Sequence, residues 1–178
     1  MSVHEHRAHA PARLDVAVIT VSDTRTGATD ESGALVRKLL EERGHRVASV
    51  AVVRDERDEI AAALRTALAG AAQAVVLNGG TGVSPRDVTI ETVEPMLDKA
   101  LPGFGELFRH LSFREIGSAA MLTRATAGIA AGKPVFALPG SPAAVMLAME
   151  RLVLPELGHV AGEAVKGSGK PGDPLRKA

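Results

Sequence analysis

"AVVLNGGTGVSPRDVT", residues 74–89, is the stretch whose reading decides the fold. An apolar run leads into glycines at 79, 80 and 82, and then an arginine stands beside an aspartate. An uninterrupted aliphatic run bounded by glycine reads as a strand buried on both faces. Such strands belong to parallel sheets, which need helices to cover each face.

Working outward, the same pattern recurs. "LDVAVITV" (14–21), "RVASVAVV" (46–53) and "KPVFALPG" (133–140) read as further strands. Between them, "DESGALVRKLLEERGH" reads as a helix with Leu35, Val36, Leu39 and Leu40 on its apolar stripe and Gly44 as its stop. "DERDEIAAALRTALAG" carries Ile60, Leu64 and Leu68 on one face. "TIETVEPMLDKALPGFGELFRHLSFREIG" reads as helical pieces broken at Pro95 and Pro102. In "SPAAVMLAMERLVLPEL", Ser141 suits an N-cap and Pro142 the first helical position. Alternating strands and helices predict one α/β domain, a parallel sheet with helices on both faces, over residues 14–162. The ends, 1–13 and 163–178, read as flexible tails, and His4, His6 and His9 fall in the first of them.

Composition narrows the function classes. The 178 residues carry 21 Lys+Arg and 21 Asp+Glu, so no basic excess marks a nucleic-acid surface. Four Phe with no Tyr or Trp leave almost no base-stacking platform. The absence of cysteine removes disulfides, thiolate metal sites and thiol nucleophiles. No apolar run approaches the roughly 18–20 residues of a membrane span, and the N-terminus lacks a secretory pattern. A cytoplasmic location is the expectation.

In sheets of this class, ligands bind outside the carboxyl ends of the strands, where strand order reverses. Three loops leave such ends: "SDTRTGATDESG", "NGGTGVSPRDVT" and "LPGSP". In the second, Gly79, Gly80 and Gly82 allow positive φ and bare amides, Thr81 and Ser84 add hydroxyls, and Thr89 can cap a following helix. These features describe an oxyanion cradle, with Arg86 to neutralise charge and Asp87 to bring in Mg²⁺. They equally describe a tight turn with a surface Arg–Asp pair. Gly140 and Ser141 repeat the logic at a helix start. Ser22 and Asp23 leave the first strand, Asp30, Glu31 and Ser32 are helix-cap candidates, and Asp55 reads locally as a cap. Two nucleotide motifs fail: the dinucleotide fingerprint lacks its third glycine, and "GIAAGKP" (128–134) lacks P-loop spacing and precedes a strand.

The ordered segments "VITVSDTR", "LNGGTGVSPRDVTIETV", "LPGFGELFR" and "SAAMLTRATAGIAAGKPVFALPGSPAAV" resemble the MoaB/Mog family of molybdenum cofactor biosynthesis, over residues 14–158. The resemblance implies a mixed, mostly parallel sheet in a single domain, assembled as a homotrimer or hexamer. It also implies Mg-ATP-dependent adenylylation of molybdopterin, with pyrophosphate released and other pathway proteins as partners. By position, Asp87 and Asp55 match the catalytic, Mg-binding acids, and Gly79, Gly80, Thr81 and Gly82 match the phosphate loop. Ser22, Ser118, Arg124 and Ser141, with Asp23, Ser84, Arg86, Pro139 and Gly140 beside them, fall in segments that line the ligand side. "RDVTIETV", without the proline of "RDVTPEA", resembles the MoaB branch, for which non-catalytic molybdopterin binding is the alternative.

Overall fold

The computed structural model describes residues 11–166, so the three tail histidines and most of both tails lie outside the described residues. Six strands form one sheet: β1 (Asp15–Val21), β2 (Arg46–Val53), β3 (Ala74–Asn78), β4 (Lys99–Ala100), β5 (Thr126–Ala130) and β6 (Lys133–Leu138). Their order is β2-β1-β3-β6-β5-β4. The first four in that order run parallel, while β5 pairs antiparallel with both β6 and β4.

Helices α1 (Glu31–Glu42), α2 (Arg57–Ala69), α3 (Thr89–Val93), α4 (Pro102–Ile116), α5 (Pro142–Ala148) and α6 (Leu154–Ala164) cover the sheet. Successive strand residues point to opposite faces, and the core divides accordingly. Val16, Val18, Val76 and Leu138 pack on one face with Val36 and Leu40 of α1, Phe108 of α4 and Val145 of α5. Ala17, Ile19, Val75 and Leu77 pack on the other with Ile60 and Leu64 of α2 and Val93 of α3. The result is the three-layer α/β arrangement expected.

Three local expectations take a different form. "TAGIA" is β5, a strand that its small residues do not announce, and Ala131 and Gly132 (φ 49° and 72°) form the tight turn into β6. The rejected "GIAAGKP" motif is this hairpin. The 142–164 helix is continuous but passes through a π-helical turn, Met149–Val153. Pro155 explains it: the proline has no N–H to donate and its ring crowds the carbonyl four residues back, inside that turn. Finally, helix α3 is only five residues long and its N-cap position is Val88, so Thr89 does not cap it. Asp30 is the cap of α1, accepting from the Gly33 amide at 2.8 Å.

At the opposite end of the sheet, His45 Nδ1 accepts the Leu14 amide at 3.2 Å. Burial, with the charge of Arg43 adding, holds this imidazole below its ordinary value of 6.5. The unfolded chain therefore takes up the proton first as pH falls. Stability should be highest above about pH 6.5 and decline below it, levelling off beneath the folded-state value. Urea unfolding at pH 7.5 and pH 5 checks this, because His45→Gln should show a smaller decline than the native chain.

Candidate functional site

Strand order reverses between β1 and β3, since β2 lies on one side of β1 and β3 on the other. Outside their carboxyl ends, together with that of β6, lies a cavity of about 560 Å³. Its floor is Thr20, Asn78 and the glycine loop; α4 contributes Ser112, Glu115 and Ile116, and α5 contributes Ala143, Ala144 and Leu147.

The main chain here is unusually bare. The Gly79 amide is used by Leu138 O at 3.0 Å. The amides of Gly80, Thr81, Gly82, Gly140 and Ser141 meet no protein acceptor among the described residues, and all five residues line the cavity. Glycine at 80 and 82 lets carboxylates pack tightly against the loop. A Cβ at 80 would lie 2.4 Å from Asp55 Oδ2, and one at 82 would lie 2.6 Å from Asp87 Oδ2. Only Gly79 and Gly80 of this loop take positive φ; Gly82 does not. Ser141 caps α5, accepting from Ala144 N at 3.3 Å.

Beneath the loop, a buried chain of hydrogen bonds sets the orientation of Asn78. Thr20 Oγ1 donates to Asp30 Oδ2 at 2.6 Å and accepts from Asn78 Nδ2 at 3.0 Å. Asn78 Oδ1 is thereby left without a partner among the described residues, although Asn78 is fully buried. An unsatisfied buried acceptor costs on the order of 1–3 kcal/mol, so a donor from a ligand or water is chemically called for at this cavity floor.

The acidic residues divide into three situations. Asp23 receives the Arg86 fork, Nε to Oδ2 at 2.7 Å and Nη2 to Oδ1 at 2.9 Å. Those bonds, with the Asp55 amide also donating to it, hold the Asp23 carboxyl at about 2. Asp55 is 6% exposed and accepts the Val88 amide at 3.1 Å. Burial pushes its carboxyl up, and the charges of Asp87 and Asp23 act in the same direction against the Val88 bond. Asp87 lines the cavity, accepts the Ser84 amide at 3.0 Å, and has no cationic partner among the described residues. Of these three carboxylates, Asp87 is the one that lines the cavity without a cationic partner among the described residues, so it is the group a divalent cation there would meet.

The structure thus brings Ser22, Gly79, Gly80, Thr81, Gly82, Asp87, Arg124, Pro139, Gly140 and Ser141 to one cavity. It places five other expected residues elsewhere. Asp55 and Arg86 border a separate depression with Glu56 and Pro85. Asp55 is not a helix cap, because α2 begins after Glu56. Arg86 is committed to Asp23 and to Glu56 Oε1 at 2.7 Å, so its charge is already neutralised. Asp23 is spent on that pair, and Ser118 lies beside Arg109 and Phe113 behind α4. Ser84 supplies turn bonds: its Oγ accepts from the Arg86 amide at 3.2 Å. Arg124 also has a partner, donating to both Glu91 oxygens at 2.7 and 2.8 Å. Sequence reading missed Arg25, Asn78, Ser112 and Glu115 as lining residues. Only Asn78, polar at the tip of an otherwise apolar strand, carried a local signal.

Topology and cavity together define a doubly wound α/β protein with a crevice at its switch point, lined by two strand-end loops. The chain belongs to the MoCF_biosynth family, described as a probable molybdopterin binding domain, which matches residues 17–159. It is 53% identical over 169 residues to molybdenum cofactor biosynthesis protein B of Halalkalibacterium halodurans, covering 93% of this chain and 99% of that one. A crystal structure of a molybdenum cofactor biosynthesis protein B matches with a TM-score of 0.85 at 49% identity, over 88% of this chain and 98% of the other. The tungsten cofactor synthesizing protein MoaB from Pyrococcus furiosus matches with a TM-score of 0.80 at 40% identity, over 87% and 99% respectively. Among the described residues, no helix is long and apolar enough to cross a membrane.

Proposed function

We propose that this protein acts in molybdenum cofactor biosynthesis by adenylylating molybdopterin. One observation carries the reading. Five amides without protein acceptors among the described residues, from two strand-end loops, line one cavity together with the Asp87 carboxylate. Amides of this kind suit phosphate oxygens, and an unpaired carboxylate among phosphates suits a bridging cation.

In this reading, an oxygen of the molybdopterin phosphate bonds to the α-phosphorus of ATP. The bond from that phosphorus to the β,γ-phosphate breaks, and pyrophosphate leaves with the electron pair. The amides at 80–82 and 140–141 hold and orient the reacting phosphates, and Ile116 and Leu147 supply apolar wall beside them. The nucleophile is already ionised, so no histidine base is required. Mg²⁺, held by Asp87 with Asp55 behind Gly80, would supply charge neutralisation to the phosphates. Self-association as a trimer or hexamer belongs to the same reading.

Incubation of the full chain with molybdopterin and Mg-ATP should yield adenylyl-molybdopterin, detected by mass spectrometry, with stoichiometric pyrophosphate. A second reading, molybdopterin binding without turnover, is favoured by one feature: Asp55 is buried and is not among the residues that line the cavity. Tight pterin binding with no adduct and no nucleotide dependence would select it.

A further inference from the structure

We propose that Arg25 is the cation that grips a phosphate group in this cavity, and that the buried hydroxyl of Ser32 holds it in place. The inference rests on the reading of the cavity as a phosphate-ligand site. Two arginines line the cavity, and Arg124 is taken by Glu91. Arg25 has no carboxylate partner among the described residues. It is half-buried, and a guanidinium removed from water without a counter-charge is costly unless an anion completes it.

Its conformation is specified at both ends. The Ser22 hydroxyl accepts the Thr24 and Arg25 amides at 3.3 and 3.2 Å, which turns the loop. The side chain then donates from Nη1 to Ser32 Oγ at 2.5 Å. Ser32, fully buried, passes its own proton toward Gly140 O at 2.5 Å. Among the described residues, Nε and Nη2 of Arg25 keep no protein acceptor, and that edge of the guanidinium matches two oxygens of one phosphate. Ser32 has a second effect. In a trans peptide, C=O and N–H point in opposite directions. Drawing the Gly140 carbonyl toward α1 therefore turns the Ser141 amide away from α1. One hydroxyl thus sets a cation from the first loop and an amide from the last.

The test is calorimetric titration of the full chain, without added divalent cation, with inorganic pyrophosphate, ATP and molybdopterin in separate arms. Arg25→Gln should weaken at least one arm by roughly tenfold to a hundredfold and reduce its salt dependence. Arg25→Lys should recover part of that loss, and Ser32→Ala should weaken the same arm less. Arg65→Gln, an exposed change on α2, should alter nothing. The arm affected identifies which phosphate is held. Unchanged affinity in all three arms for a folded Arg25→Gln protein would overturn the proposal, as would equal weakening by Arg65→Gln. Neither result depends on adenylyl transfer, so failure of that reaction leaves this outcome legible.

Discussion

Asp87→Asn should lower adenylyl transfer by about a thousandfold while molybdopterin affinity stays within a few-fold. Of the three neighbouring aspartates, Asp87 alone lines the cavity and lacks a cationic partner among the described residues. Asparagine keeps its size, and its amide oxygen can still accept the Ser84 amide, so the loop should be preserved. What disappears is the negative charge. If that charge recruits Mg²⁺ to the phosphates, its loss falls on the transition state, where charge neutralisation matters most, and spares ground-state pterin binding. Single-turnover rates and pterin titrations on the same protein separate the two. Equal loss of transfer and binding would show that Asp87 shapes the loop and does no chemistry. Asp23→Asn provides the contrast. It breaks the Arg86 fork, so any effect should arise through the loop and appear in stability as well as turnover.

Gly79→Ala should destabilise the fold by about 3 kcal/mol or more. Gly79 has φ of 99°, and an added Cβ would lie 2.1 Å from the Val21 carbonyl oxygen. That neighbour belongs to central strand β1, and the Gly79 amide is bound to Leu138 O on the other side. Neither partner can retreat without breaking the sheet at its switch point. Gly132→Ala is the control: φ is 72° there, but nothing lies within 4 Å of the added carbon. Only the backbone penalty remains, on the order of 1–2 kcal/mol. Urea unfolding should rank the two variants clearly. Equal costs would mean that crowding against β1 contributes nothing.

These expectations separate what local sequence encodes from what assembly adds. The buried strands were legible because their signal is short-range: near-continuous apolar runs within 15–21 and 74–78, bounded by turn residues. So were the Ser141–Pro142 helix start and a cap among residues 30–32, since capping operates within three residues. The antiparallel edge was not legible from the residues, because β4 has two residues and β5 is "TAGIA". The mixed sheet was anticipated only through family resemblance.

By itself, the sequence determined a doubly wound core, three chemically distinctive loops at strand ends and the family to which the chain belongs. Only the tertiary structure decided which charges those loops leave free. Arg86 is neutralised by Asp23, 63 residues away, while Arg25 meets no carboxylate among the described residues and Asp55 is buried against Gly80. Periodicity and capping are properties of neighbouring residues. Ion pairing and burial depend on which distant loops the sheet order brings side by side.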